Sequence, residues 1–233
     1  DFKMDLDLKN SVAKLSGNKL SIQKIDFKEK SFFSEINNLD FNIDIEKLVL
    51  AKNNFLKPII SFKKKNFEFS DLNVELNGEK DYHKIQIFNE NKKKKFFLES
   101  NYAPRLFNIL DINLDLNKGS LKIEGEKSPD SGNYIGNIAG KDFVFLDAPL
   151  FADFITLFSI KGLTQKLKDG GIIFEDFTSR YEFSPNKLRL IDSLIKGSEL
   201  GLSFDTVVGL NNDYFLTTGT IIPAYTLNTL ITN

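Results

Sequence analysis

The sequence contains no cysteine and no tryptophan, and only one methionine and one histidine. Without thiols there can be no disulfide, Cys-ligated zinc, iron–sulfur cluster or thiol catalysis. Net charge is almost absent as well. The 31 basic and 32 acidic residues leave −1, which removes a strongly basic nucleic-acid binder from consideration. No run of about 18 apolar residues occurs, and no basic segment followed by an apolar one opens the chain, so neither a membrane-spanning helix nor a signal peptide is expected. The glycines at Gly170-Gly171 and from Gly136 to Gly140 lack the Gly-Lys-Ser/Thr of a phosphate-binding loop.

What remains is a chain of globular composition, 41% hydrophobic and 27% charged, with 23 phenylalanines and 23 asparagines in 233 residues. Its dominant pattern is alternation. Phe2, Met4, Leu6 and Leu8 are separated by Lys3, Asp5 and Asp7, a period of two that puts every apolar side chain on one face of a strand. Leu39, Phe41, Ile43 and Ile45 repeat it. Phe67 and Phe69 lead to Leu72, Val74 and Leu76 after a one-residue slip that reads as a bend or bulge. Ile112, Leu114 and Leu116 run through Asn117-Lys118-Gly119 to Leu121 and Ile123, the pattern of a hairpin with a short glycine-containing loop. Less regular strands fit Leu20–Phe27, Ile59–Phe62, Ile85–Phe88, Phe96–Leu98 and Tyr134–Ile138.

Residues 147 to 168 break the pattern. Asp147 is a plausible N-cap, Pro149 suits a first helical turn, and Leu150, Phe151, Phe154, Ile155, Leu157 and Phe158 recur at spacings of three and four. An amphipathic helix is expected there, in pieces broken at Gly162 and ending at Gly170-Gly171. Strands return over Ile172–Phe183, Lys187–Lys196, Leu200–Val208 and Tyr214–Ile222. The chain starts and stops in mid-pattern, which suggests a part of something longer.

Few side chains suggest chemistry. His83, in the charged stretch Glu79–Lys84, has no second histidine or cysteine beside it and reads as a solvated loop residue. Carboxylate pairs such as Asp5/Asp7 and Glu124/Glu126 belong to wet strand faces. Lys63-Lys64-Lys65 and Lys92-Lys93-Lys94-Lys95 suit solvated hairpin tips or guarded edges, with anionic lipid headgroups as the competing reading. No cofactor or metal is implied. The apolar face has two readings that the residues alone leave open: the core of a closed sandwich, or an open trough able to hold lipid tails. Strands lie ~4.8 Å apart, so an extended acyl chain crosses on the order of four of them.

Five ordered blocks add a resemblance: Asp142-Phe143-Val144-Phe145-Leu146-Asp147-Ala148-Pro149, Phe158 to Leu163, Gly171-Ile172-Ile173-Phe174, Gly197 to Leu202, and Gly219 to Asn228. In order and spacing they resemble the AsmA-like C-terminal region of YhdP-type bacterial envelope proteins. The resemblance implies a β-rich groove in the Gram-negative periplasm, held to the inner membrane by an N-terminal anchor missing from this chain. It also implies phospholipid transport toward the outer membrane, in support of outer-membrane integrity.

The expectation is therefore an all-β, mainly antiparallel fold, a curved, taco-like elongated groove with one inserted amphipathic helix. Within one continuous domain, residues 1–146 form a groove segment, 147–171 a helical insertion that caps the groove or packs on its sheet, and 172–233 the AsmA-like β segment. Phe41, Ile43, Phe67, Phe69, Leu114, Leu116, Leu121, Ile123, Leu202 and Phe204 are expected to face the interior and meet phospholipid acyl chains. The expected function is non-enzymatic lipid conduction, with a possible outer-membrane partner and no nucleic acid. The competing functions are a β-domain that assists outer-membrane protein assembly by strand addition and, ranked last, an outer-membrane barrel.

Overall fold

A computed structural model describes residues 2–7, 9–23, 36–110, 112, 115–146, 171–198, 200–210 and 214–223. About three quarters of the described residues lie in strands, almost all of them antiparallel. The chain packs as two units, Asp1–Asn113 and Leu114–Asn233. The helix expected over 147–168 lies outside the described residues.

The first unit holds β1 (Phe2–Asp7), β2 (Val12–Ile22), β3 (Leu39–Leu50), β4 (Asn53–Leu56), β5 (Ile59–Lys65), β6 (Glu68–Asn77), β7 (Tyr82–Glu90), β8 (Lys93–Ser100) and the helix α1 (Ala103–Ile109). Its strands pair in the order β1-β2-β3-β5-β6-β7-β8, and β4 also pairs with β3. Neighbours are antiparallel except β2 and β3, which run parallel. β4 and β5 share one register on β3, Leu48 opposite Phe55 and Ile43 opposite Ile60. They are one strand interrupted at Lys57-Pro58, where Lys57 has φ +44° and proline has no N–H to give the ladder.

Tight hairpins fix three of the registers, β3–β4, β5–β6 and β7–β8. Ala51-Lys52, Asn66-Phe67 and Asn91-Lys92 each place two successive residues at positive φ, between 47° and 65°. That is the geometry of two-residue type I′ turns, whose twist matches the strands they join. The slip after Phe69 is a bulge: Lys63 pairs with Asp71 and Lys64 with Phe69, leaving Ser70 extra.

The second unit is an antiparallel meander of β9 (Leu116–Lys127), β10 (Tyr134–Phe145), β11 (Ile172–Ser184), β12 (Lys187–Gly197), β13 (Leu200–Gly209) and β14 (Phe215–Pro223). β9 corrects an expectation, because it runs unbroken through Lys118-Gly119 instead of turning there. Gly119 takes φ +129°, and a Cβ on it would lie 2.3 Å from the Phe143 ring. Gly140, opposite Leu121, would meet the same ring at 2.1 Å. These glycines leave room for Phe143, which is 6% exposed, to lie flat on the sheet beside the bulge at Asp142. The glycine read as a turn signal thus serves close packing.

Both units are open ladders. Among the described residues β1 does not pair with β8, nor β9 with β14, so neither unit closes into a barrel. No described helix is long and apolar enough to cross a membrane.

Candidate functional site

The pleat puts directly opposed residues on the same face, so the registers spell out what each face carries. In the first unit Ala13, Phe41, Phe62, Leu72, Ile87 and Phe96 stand opposite one another on consecutive strands. One step along, Leu15, Ile43, Ile60, Val74, Ile85 and Leu98 form a second apolar row. Phe41 and Phe62 stack with ring centroids 5.0 Å apart, and Phe69 meets Phe62 edge-on at 5.5 Å. The opposite face is wet and ion-paired, with Lys14–Asp44 at 2.8 Å, Lys63–Asp40 at 3.2 Å and Lys84–Glu75 at 3.2 Å.

The rows are unevenly covered. Ala13, Phe41 and Leu98 are buried, whereas Phe62, Leu72, Val74, Ile85, Ile87 and Phe96 are only partly so. At one end the cover is complete. Leu48, Leu50, Phe55, Leu76 and Ile45 close into a core with Ile109 of α1. Here lies a cluster that the sequence reading missed, and the correction concerns His83. It is not a solvated loop residue but a β7 side chain only 1% exposed, set between Leu76 and Ser100 in the third row. Its Nε2–H donates to Asp81 Oδ2 at 2.9 Å, and its Nδ1 accepts from Ser100 Oγ at 2.8 Å. Ser100 Oγ in turn accepts from the Tyr102 N–H at 3.1 Å, and Asp81 Oδ1 accepts from Arg105 Nη1 at 2.6 Å.

This Asp–His–Ser order is that of a hydrolytic triad, but Ser100 is 1% exposed, which leaves no approach for a substrate carbonyl. The chain of bonds instead ties α1, through Arg105 and the preceding Tyr102, to the β7–β8 pair. Burial pushes the His83 pKa below its ordinary value, against the raising pull of Asp81. The signal in the sequence was the period-two position of His83 with Ile85 and Ile87, masked by the charged residues around it.

In the second unit Leu121, Gly140, Phe177, Ile195, Leu202 and Ile221 make one cross-strand row. Ile123, Ile138 and Ser179 begin the next, which ends in Ser193, Phe204 and Gly219. The polar members pair with each other: Ser179 Oγ with Ser193 Oγ at 2.9 Å, and Thr206 Oγ1 with Thr217 Oγ1 at 2.8 Å. Tyr181, 6% exposed, lies over Gly125, and burial pushes its pKa up to about 12. The other face again carries ion pairs, Lys122–Glu124 and Arg189–Glu182.

Of the ten expected interior residues, Phe41 and Ile43 stand in the first unit's rows, and Leu121, Ile123, Leu202 and Phe204 in the second unit's. Leu116 is half-buried opposite Phe145. Phe69 is on β6 but 41% exposed. Phe67 is not on the apolar face: it occupies the second position of a type I′ turn, φ +65°, and is 59% exposed. The two-residue turn uses up the position that simple alternation gave to a strand. Leu114 lies outside the described residues. Among the described residues no three metal-ligating side chains come together.

Comparison of the chain with known protein families, with curated proteins and with solved structures found no match.

Proposed function

We propose that the chain is a non-enzymatic carrier surface for phospholipid tails, part of a periplasmic conduit between the inner and outer membranes. The observation that carries this reading is the continuity of the apolar rows. Each runs from strand to strand without a charged interruption, on an open ladder, and much of it stays partly exposed. A closed sandwich would bury those residues against an opposing layer. Each methylene withdrawn from water contributes about 0.8 kcal/mol, so a continuous apolar row can hold a tail without any polar contact. Bulges at Ser70, Asp142 and Asp192 bend the strands that carry the rows, which favours a trough over a flat sheet. The choice of compartment and lipid class rests on the resemblance of five sequence blocks to AsmA-like envelope proteins.

The test is photo-crosslinking of a phospholipid with a reactive tail to the chain, in wild type and with Leu116→Asp or Phe204→Asp. Both side chains are only half-buried, so a carboxylate at either position keeps access to water and the variants are expected to fold. Labelling is expected to fall at least tenfold while circular dichroism and the unfolding midpoint stay close to wild type. Equal labelling in a folded variant would refute the proposal.

A further inference from the structure

β1 and β14, the first and last strands in chain order, differ in how they present their free edges. β1 alternates Lys3, Asp5 and Asp7 with its apolar residues, and charge on an edge discourages a further strand. β14 has no such guard. From Tyr214 to Pro223 there is no charged residue, Phe215 is 70% and Leu216 62% exposed, and among the described residues only β13 pairs with it.

The phase of the free edge follows from one bond. Gly209 N–H donates to the Tyr214 carbonyl at 2.8 Å, and 209 and 214 continue the register that pairs Val208 with Phe215. Antiparallel partners alternate between bonded and non-bonded pairs. The even-numbered residues of β14 therefore bond inward to β13, and Phe215, Thr217, Gly219 and Ile221 present N–H and C=O outward. Pro223 falls on the outward phase too, where its missing N–H costs β13 nothing.

The even-numbered side chains, which share one face of β14, are symmetric about Gly219. Turned by a two-fold axis through Gly219, Thr217 meets Ile221 of a second copy, Leu216 meets Ile222, and Thr218 meets Thr220. On the wet face a large residue opposes a large one and threonine opposes threonine; on the other face Thr217 opposes Ile221; and no like charges meet. We infer that β14 is a self-complementary edge and that two copies of this chain join through it, antiparallel, with Thr217, Gly219 and Ile221 exchanging backbone hydrogen bonds. The axis stands perpendicular to the sheet, so the apolar rows of both second units lie on the same side. The inference concerns association alone and stands whether or not lipid is the cargo.

The experiment is sedimentation of the full chain over a hundredfold concentration range, with amide exchange read at 217, 219 and 221. Expected is a concentration-dependent dimer whose formation slows exchange at those amides. Thr218→Lys with Thr220→Lys, both on the exposed wet face, brings lysines opposite each other and is expected to weaken association at least tenfold. Thr218→Lys with Thr220→Glu places each lysine opposite a glutamate of the second copy and is expected to restore it. A monomer throughout overturns the inference, whether those amides exchange freely or are protected by the chain itself. So does a dimer indifferent to the lysine pair.

Discussion

At the scale of single residues, the proton inventory around His83 admits one resting state. The Tyr102 N–H can only donate, and an ionised Asp81 can only accept, so the Ser100 hydroxyl must point its hydrogen at Nδ1 and the imidazole must carry its own hydrogen on Nε2. Adding a proton to Nδ1 would turn the Ser100 hydroxyl away from it, with its hydrogen left to find another acceptor at a site 1% exposed. This geometric cost acts in the same direction as desolvation, which lowers the His83 pKa from 6.5. The unfolded chain binds a proton near 6.5 and the folded chain only at lower pH. The contribution of His83 to stability is therefore complete above about pH 6.5. It is lost as pH falls from there to the depressed folded value, below which the loss levels off. Because His83 is the sole histidine, its imidazole resonances can be followed without ambiguity. A midpoint below 6.5 is expected, and Ser100→Ala should move it upward while destabilising the chain by about 1 kcal/mol. A wild-type midpoint at or above 6.5 would contradict this account of the cluster.

At the scale of elements, the turns are where local preference and the demands of the fold part company. Phe67 sits at φ +65°, a conformation that costs an ordinary L-residue roughly 1–2 kcal/mol and glycine little. Its ring is 59% exposed, so little burial offsets that cost. Phe67→Gly converts the turn to Asn-Gly, the preferred type I′ pair, and is expected to raise the urea midpoint by an amount equivalent to about 1 kcal/mol. A lower midpoint would mean that the ring contributes packing the exposure does not reveal. The same position shows why the interior was only partly legible in the sequence. Alternation identified Phe41, Ile43, Leu121, Ile123, Leu202 and Phe204 because each lies well inside a strand, where period two holds. It failed at Phe67, where a turn takes two residues, and at Gly119, where the space for Phe143 depends on a neighbouring strand. The bulge after Phe69 was readable because a bulge shifts the apolar phase by one. The helix α1 was not, because seven residues with Ala103, Leu106 and Ile109 buried carry too little periodicity to stand out. The parallel pairing of β2 with β3 left no local trace, since parallel and antiparallel strands share the same alternation.

At the scale of the whole molecule, the balance of charge makes a further statement about binding. With a formal charge of −1 and opposite charges interleaved on the wet faces, the protein has little net field with which to select a headgroup. If tails are held by the apolar rows, the free energy of binding must follow tail length and not headgroup charge. About 0.8 kcal/mol per methylene corresponds to a roughly fourfold change in Kd for each carbon removed. Two carbons then amount to roughly fifteenfold, until the tail is shorter than the row that holds it. Salt should matter little, because nothing in this mode of binding depends on screened charge. Titrating short-chain phospholipids of different tail length into the chain, at low and at high ionic strength, measures both dependences. A steep dependence on tail length that is flat in salt is the expected outcome. Affinity that follows headgroup charge and collapses in salt would instead assign binding to Lys63–Lys65 or Lys92–Lys95 and remove the apolar rows from the mechanism.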